Sequence, residues 1–347
     1  MSQSVKPYPR PGDAAALIEL YFEKGWTDGL PVVPPTEASV GAMLQAAGLR
    51  GHEVIGDIPS RHTRVTADKV AINAVLAGCR PEYMPVVVAA VKGICHPDYG
   101  YHGPATSTGS AATCLLVNGP VRARLGLNAK DNVLGPGFRA NATIGRAVRL
   151  VMMNGINTRP GALDRSTMGN PGKYSMCIAE AEEDSPWEPL HVELGYKPED
   201  STVTVFAAEA AIQMYNQLSS DPAQLCATMA GAMSNVGSMQ VVGQQNIVVL
   251  WSGEHAQVFR NAGWNKSRIK QSLWEQGRQT VAALKRAGRL PGPLAPEDES
   301  TWRHVTATPE EIYVLRAGAP AGAFSACLPG WGPRSATRAV TTLIEGV

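Results

Sequence analysis

The sequence predicts a mixed α/β protein of the α+β class, built as two related lobes with a functional site between them. Length, composition and a repeated outline support this prediction. A chain of 347 residues exceeds the usual size of one hydrophobic core. Apolar residues make up 44% of it, and its 35 glycines and 26 prolines indicate a globular chain with many tight turns. We predict an N-terminal lobe over residues 1–200 and a C-terminal lobe over residues 201–347.

The elements of the N-terminal lobe follow from local patterns. An amphipathic helix begins after Asp13, an extended proline-rich corner follows it, and a second helix begins at Thr36. Further helices are predicted in RVTADKVAINAVLAG, over Pro81 to Ile94, in VRARLGLN and in the segment after GPGF. Strands are predicted in TCLLVNGP, YSMCIAE and STVTVFAAE.

The C-terminal lobe repeats part of this outline. Helices are predicted in DPAQLCATMAGAMSNV, EHAQVFRNAGW and NKSRIKQSLWEQ, and strands in NIVVLWSGE, EIYVLRAG and AFSACLPGWG. The segments LLVNGPVRARLGLN and VVLWSGEHAQVFRNAGWN share one order of strand, small-residue turn, short helix, glycine and asparagine. This order predicts an internal duplication, although a generic βα unit gives the same pattern.

Charge and cysteine usage exclude several classes of function. The formal net charge is +1, so no electrostatic argument favours nucleic acid or an anionic membrane as a partner. The N-terminal MSQSVKPYPRPGD lacks the apolar region of a signal peptide, and no run of about 18 apolar residues predicts a membrane-spanning helix. The six cysteines form no CxxC pair, which indicates buried, reduced thiols in a cytoplasmic protein.

The glycine-rich segment GPGFRANATIGRA is a candidate anion site. Its glycines permit close approaches, and a helix start offers backbone N–H groups to an anion. Arg139, Asn141 and Arg146 would contact a carboxylate or phosphate there. The spacing matches neither Walker A nor GxGxxG, so no nucleotide is predicted. A capped helix with surface arginines is the alternative interpretation.

The loop HGPATSTGSAAT precedes a predicted strand and collects small hydroxyl residues. Thr106, Ser107 and Thr108 are candidate ligand contacts because their hydroxyls and amides can face a bound molecule. The same groups can instead satisfy their own turn. The loop contains no GxSxG, which argues against a hydrolase serine.

The acidic stretch AEAEEDSPWEPLHVE is the candidate catalytic region. Glu180, Glu182, Glu183 and His191 would form one wall of the pocket, facing the arginine loop and moving protons. Trp187 would anchor this wall and contact the substrate, and a carboxyl placed against it would have a raised pKa. A solvated loop between two strands is the alternative.

His191 and Glu193 are two residues apart, so on a strand both would point to one face. Together with a distant histidine such as His102, they could bind a divalent metal. No HExxH motif and no cysteine–histidine cluster supports this, so we predict no cofactor and no metal ligand. A partly buried histidine bonded to its neighbours is the simpler interpretation.

Longer motifs give the chain a family resemblance. WTDGLPVVPPT, AINAVLAGCRPEYMPVVVAAV, RANATIGRAVRLVMMN, NPGKYSMCIAEAEEDSPWEPLHVE and the late PGWG resemble a poorly characterised bacterial family. Its members are encoded beside, or fused to, a small UGSC-type domain that carries a selenocysteine- or cysteine-Gly-Ser-Cys motif. This chain contains no Cys-Gly-Ser-Cys. The resemblance therefore implies a heteromer whose small partner supplies a thiol or selenol.

These features favour a cytoplasmic small-molecule enzyme, or the large subunit of a heteromeric one, that acts on an anionic metabolite. Lyase- or hydratase-like chemistry fits, as does thiol-assisted chemistry with the small partner. Two other functions remain open at this point. One is a noncatalytic scaffold for that partner, and the other is a metal-dependent hydrolase or lyase. We expect an oligomer in each case.

Overall fold

A computed structural model describes residues 13–346 and confirms the α+β class. The N-terminal segment MSQSVKPYPRPGD was predicted above not to be a signal peptide. Its first 12 residues lie outside the described residues. Within the described range, no helix has the length and apolar character needed to cross a membrane. Its helices are α1 (Ala14–Glu23), α2 (Glu37–Ala46), α3 (Ala67–Ala77), α4 (Met84–Cys95), α5 (His102–Thr106), α6 (Val121–Leu125), α7 (Arg139–Leu150), α8 (Leu190–Glu193), α9 (Pro222–Met233), α10 (Gln240–Gly243), α11 (Gly253–Asn261), α12 (Lys266–Gln276) and α13 (Val281–Arg286).

The strands form two four-stranded sheets and two small two-stranded sheets. They are β1 (Val54–Ile58), β2 (Thr63–Thr66), β3 (Ala112–Asn118), β4 (Cys177–Ala179), β5 (Thr202–Ala208), β6 (Ile212–Tyr215), β7 (Ile247–Trp251), β8 (Arg278–Thr280), β9 (Trp302–His304), β10 (Ile312–Arg316), β11 (Phe324–Leu328) and β12 (Val340–Leu343). The first sheet has the order β12-β5-β3-β4, and the second has the order β10-β7-β11-β6. Most of these elements lie where the sequence predicts them.

The two sheets pack face to face, with helices on their outer faces. Helices α4 and α7 contact the first sheet, and α9 and α12 contact the second. The inner layer joins Leu116 and Phe206 of the first sheet to Leu250 and Leu328 of the second. Strands buried on both faces read as continuous apolar runs, which explains why β5 and β7 are buried along their whole length.

The two sheets share one arrangement of strands. In the first, β3 pairs parallel to β4 and antiparallel to β5, while β12 completes the edge beside β5. In the second, β7 pairs parallel to β10 and antiparallel to β11, while β6 completes the edge beside β11. The edge strands are exchanged, because β6 follows β5 in the chain and β12 follows β11. Whether this likeness reflects a duplication stays a prediction.

The exchange corrects the predicted boundary between residues 200 and 201. Strands β5 and β12 lie beyond residue 200, yet both belong to the first sheet with β3 and β4. Strand β5 pairs with β3 over seven positions, from Thr202↔Asn118 to Ala208↔Ala112. Its fully buried sequence requires a central place in a sheet. The chain therefore passes to the second sheet only at Ile212 and returns to the first at Val340.

Candidate functional site

The acidic stretch folds around a buried arginine, Arg122. The Arg122 guanidinium pairs with Glu182 at 2.7 Å and with Glu183 at 3.0 Å, and it donates to the Glu180 carbonyl oxygen at 2.6 Å. Glu182 also accepts from the Gly119 N–H at 2.7 Å. The predicted wall thus faces Arg122 rather than the predicted arginine loop. Glu180, Glu182, Glu183 and His191 do come together, but none of them lines the cleft described below.

Glu180 and His191 are the most deeply buried members of this cluster. The Glu180 carboxylate accepts from Asn118 Nδ2 at 2.6 Å and from the Leu190 N–H at 2.9 Å. Burial raises the pKa of Glu180, as expected for a carboxyl removed from water. His191 is 1% exposed, and neither ring nitrogen has a hydrogen-bond partner. The polar contact of its ring is with Glu182, whose Oε1 lies 3.9 Å from His191 Nδ1, beyond hydrogen-bond distance.

His191 and Glu193 do not lie on a strand, so the shared face considered for them does not arise. Both lie in α8, a four-residue helix that follows Pro189. Glu193 pairs with Lys266 at 2.9 Å and with Lys270, and these two lysines lower its pKa against the opposing effect of burial. Within residues 13–346, no cluster of three or more histidine, cysteine or acidic side chains is arranged to hold a metal.

The predicted substrate contacts on α7 are engaged inside the protein. Arg139 donates to the Gly78 carbonyl oxygen at 2.9 Å, and the Asn141 amide bonds both the N–H and the carbonyl of Asn128. Arg146 pairs with the Asp28 carboxylate at 2.7 Å. Because Asp28 lines the cleft described next, only Arg146 of these residues approaches it.

The predicted contacts in the hydroxyl loop and at Trp187 also serve the fold. The Thr106 hydroxyl donates to the His102 carbonyl, and the Ser107 hydroxyl accepts from the Gly109 N–H, so both satisfy their own turn. Thr108 offers its carbonyl to the Thr167 N–H at the wall of the cleft. Trp187 is buried and donates from Nε1 to the Trp264 carbonyl at 2.9 Å.

The candidate site is a cleft of about 730 Å³ at the C-terminal end of α7. A π-helical turn, Val151–Gly155, extends α7 and leads into the irregular segment 156–170. Such turns occur frequently at functional sites. Asn157 adopts a left-handed backbone conformation with φ of 63° at the start of this segment. The cleft lies between the segment, the end of α7 and the corner at residues 25–28.

Four polar side chains form a connected cluster in this cleft. Lys173 Nζ lies 2.8 Å from both carboxylate oxygens of Asp164 and 2.6 Å from the Ser166 hydroxyl. The Ser166 hydroxyl donates to Asp164 at 2.7 Å, and Arg149 Nη2 donates to the same carboxylate at 3.0 Å. Asp164 is therefore held by two cations and one hydroxyl. We call these residues the Lys173 cluster.

Burial and charge oppose each other at the Lys173 cluster. Burial disfavours ionisation of Asp164, but hydrogen bonds from Lys173 and Ser166 outweigh it and hold the pKa at about 2. Burial lowers the pKa of Lys173, and the Asp164 carboxylate only partly restores it. An ammonium with a lowered pKa is suited to proton transfer because it releases its proton more readily near neutral pH.

The cleft carries an excess of positive charge. Arg149, Arg159 and Lys173 line it, with Asp28 and Asp164 as its carboxylates. Asp28 is neutralised by Arg146 from outside the lining. Arg159 binds neutral oxygens, including the Gly25 carbonyl and the Asn157 side chain, and forms no ion pair in the described part of the chain. The arrangement favours an anion beside Arg159.

A second, small cavity lies on the inner side of the cluster. Its volume is about 20 Å³, and Arg149, Lys173 and Thr113 are among the residues that line it. That space suffices for one water molecule with polar partners. The position beside Lys173 would let a water relay protons to or from the ammonium.

The cysteines are free, and five of the six are buried, as the sequence predicts. Burial raises the pKa of Cys79, Cys95, Cys177, Cys226 and Cys327 to about 12. Burial also raises the pKa of Cys114 well above its usual value. A thiol is nucleophilic only as a thiolate, so none of the six is prepared for attack at neutral pH.

Sequence reasoning missed Arg149, Asp164, Ser166 and Lys173. Arg149 lies three residues after Arg146 on the same helix, a spacing that places both on neighbouring positions of one face. Lys173 belongs to the motif NPGKYSMCIAE, which carries part of the family resemblance. The contact between Asp164 and Lys173 has no local signal, because the two residues lie nine positions apart and share no regular helix or strand.

The chain was compared with protein-family models, with curated proteins and with solved structures, and none of them matches.

Proposed function

We propose that the protein is a small-molecule enzyme that binds an anionic substrate in the cleft and transfers a proton through Lys173. The observation that carries this proposal is the Lys173 ammonium, partly buried in a positively charged cleft between Asp164 and Ser166. Lyase- and hydratase-like reactions need a positioned base beside an anion-binding group, and both are present there. We no longer propose the acidic stretch for this role.

The roles of the side chains follow from their partners. Arg159, which forms no ion pair among the described residues, would bind a substrate carboxylate. Asp164 would hold Lys173 in position and favour its charged form, and Ser166 would complete the donor set. Arg149 pairs with Asp164 and would keep it ionised during the reaction. Release of the Lys173 proton, or its recovery, is the step assigned to this cluster.

The proposal also includes a small thiol- or selenol-bearing partner, as the family resemblance implies. The raised pKa values of the six thiols support it, because thiol-assisted chemistry would then need sulfur or selenium from another chain. The partner would meet the substrate from the open side of the cleft, where Met168 is 90% exposed.

The experiment is a turnover screen of the purified chain, alone and with the product of a neighbouring gene. Hydroxy acids, unsaturated dicarboxylates and small thiols are supplied at neutral pH, and proton release and product formation are measured. Turnover by the isolated chain would eliminate the scaffold function. Turnover only with the second protein would assign the soft nucleophile to that partner.

Two variants then locate the site. Lys173→Met removes the ammonium and is expected to lower kcat at least about 100-fold, the size of a lost general acid or base. Lys197→Met removes an exposed lysine and should leave turnover unchanged. Full activity of the folded Lys173→Met protein would show that another site carries the reaction.

A further inference from the structure

A second charged site lies at the end of β10, away from the Lys173 cluster. Arg316 is the last residue of that strand and is 1% exposed. Its guanidinium lies against the start of α11, where a Cβ on Gly253 would come within 2.8 Å of Arg316 Nη2. A cleft of about 660 Å³ opens there, lined by Arg316, Gly253, Gln257 and Arg260.

The Arg316 guanidinium has little compensation inside the protein. Nη1 donates to the Gly318 carbonyl, and Nε is buried without any hydrogen-bond partner. No carboxylate forms an ion pair with it among residues 13–346. Burial lowers the pKa of Arg316, while Asp184 and Asp131 oppose this only as more distant charges. Burial without an ion-pair partner disfavours the charged guanidinium, because the ion loses its hydration and gains no opposite charge in contact.

The carboxylates that line this cleft are already engaged. Glu254 accepts from the Gly322 N–H at 2.7 Å, and Asp184 pairs with Lys130 at 2.6 Å. Arg260 donates to the Asp184 carbonyl oxygen at 3.1 Å and lies on the cleft wall. Neither the Glu254 nor the Asp184 carboxylate forms an ion pair with Arg316.

Helix α11 adds a second source of positive potential. It is nine residues long, and its N-cap residue, Ser252, makes no side-chain cap. The partial positive charge at a helix start attracts anions, and its amides can donate to them. The Gly253 N–H bonds the Ala319 carbonyl, so the amides that follow it in the first turn are those available to a ligand.

The corresponding junction in the first sheet indicates what belongs in this place. There the turn after β3 receives the Glu182 carboxylate, which accepts from the Gly119 N–H and pairs with Arg122. In that junction, a carboxylate of the chain itself joins the turn at Gly119 to Arg122, which lies in α6, whereas Arg316 lies at the end of a strand. At the end of β7 and β10 the arginine and the helix start are present, but no carboxylate joins them.

We propose that the cleft at Arg316 and the start of α11 binds the phosphate or carboxylate group of a small molecule. This group would take the place that Glu182 has in the first junction, with the guanidinium as a forked donor. Arg260 would contact the anion from the rim. The proposal is independent of the Lys173 cluster, which lies on the first sheet's side of the protein.

The test is a titration of the full chain with inorganic phosphate and, separately, with acetate, at constant ionic strength. Amide chemical shifts of Gly253 and its neighbours are followed by NMR. Saturable shifts with either anion are expected, and the anion that binds identifies the chemical class. Absence of saturable shifts with both anions would overturn the proposal, whatever the variants show.

Variants then assign the binding to Arg316. Arg316→Met and Arg316→Lys should weaken binding at least tenfold, since neither provides a forked donor. Arg338→Met, which removes an exposed arginine elsewhere, controls for the loss of charge and should bind as the wild type does. Lys173→Met should also bind normally, which separates this site from the proposed catalytic cleft. Unchanged affinity in both Arg316 variants would contradict the proposal.

Discussion

The two junctions at the ends of the paired parallel strands have the same topology and different charge balance. In the first sheet, Arg122 is buried against Glu182 and Glu183. In the second sheet, Arg316 is buried with a carbonyl as its hydrogen-bond partner and an unpartnered Nε. The same arrangement of strands thus carries one arginine that pairs with carboxylates and one that has no ion-pair partner among the described residues.

The contrast between Arg122 and Arg316 indicates how a binding site can be recognised without a ligand. A buried charge with internal partners is explained by the fold, whereas a buried charge without them indicates a group from outside the chain. The Lys173 cluster lies between these cases. Its carboxylate is fully engaged, while the neighbouring Arg159 forms no ion pair in the described range.

The largest expected effect distinguishes the two arginines. Arg122→Met would leave the Glu182 carboxylate without its cation, so we expect a loss of about 3–5 kcal/mol in the free energy of unfolding. Arg316→Met removes an uncompensated charge and should change that energy by less than about 1 kcal/mol, or raise it. Urea unfolding of both variants in ligand-free buffer makes the comparison. Similar large losses in both would mean that Arg316 also stabilises the fold.

Asp164→Asn should cause the next largest change in the free energy of unfolding. It removes the carboxylate held by Lys173 and Arg149, and we expect a loss of about 2 kcal/mol at neutral pH, typical of hydrogen bonds to charged groups. The pKa of Asp164 is lowered to about 2, so its contribution is present above the ordinary value of 3.8 and is lost as pH falls toward 2. The variant should therefore show a shallower decline of stability between these pH values.

The measurement is urea unfolding at a series of pH values from neutral down to about 2, with Asp131→Asn as the control. Asp131 is exposed and lies outside the Lys173 cluster, so its variant controls for the loss of one carboxylate charge. If the free energy of unfolding of Asp164→Asn falls with pH as steeply as that of the wild type, the Lys173 cluster does not hold an ionised carboxylate.

Glu180→Gln should have the smallest effect on the free energy of unfolding, and it should raise that energy rather than lower it. Burial raises the pKa of Glu180 above 4.5, so the folded state binds its proton more tightly than the unfolded state does. The wild type then loses stability as pH rises through and above 4.5, and the amide variant should not. An amide oxygen can accept the two hydrogen bonds from Asn118 and Leu190. We expect a gain on the order of 1 kcal/mol at pH 7 in urea unfolding.

A clear loss of stability at pH 7 would show that the charge on Glu180 is required in the folded protein. If the free energy of unfolding of the variant equals that of the wild type at every pH, the pKa of Glu180 is not raised by folding.

The sequence predicts the fold better than the site, and the reason is the range of the interactions. Periodic apolar patterns are local, so β3, β7 and the long helices are confirmed where they were predicted. The spacing of His191 and Glu193 was considered for a strand, but the segment forms one turn of helix, and two residues cannot distinguish these structures. The exchange of β6 and β12 between the sheets has no local signal at all.

The predicted site residues show the same limit. The acids and His191 do gather, because Arg122 and Asn118 bring them together from another part of the chain. The arginines of the glycine-rich loop were predicted to be available, yet Arg146 is paired with Asp28 over a separation of 118 residues. Availability of a charged side chain depends on such distant partners, and the sequence alone does not reveal them.

The most direct test of the central claim is an NMR titration of the lysine side chains against pH, with and without a bound dicarboxylate. Lys173 is identified by the loss of its signal in Lys173→Met. We expect Lys173 to titrate below 10.5, the ordinary value for lysine, because burial lowers its pKa, and succinate to raise that pKa by placing an anion beside the ammonium. A Lys173 pKa at the ordinary value that does not change with saturating succinate would contradict the proposed function.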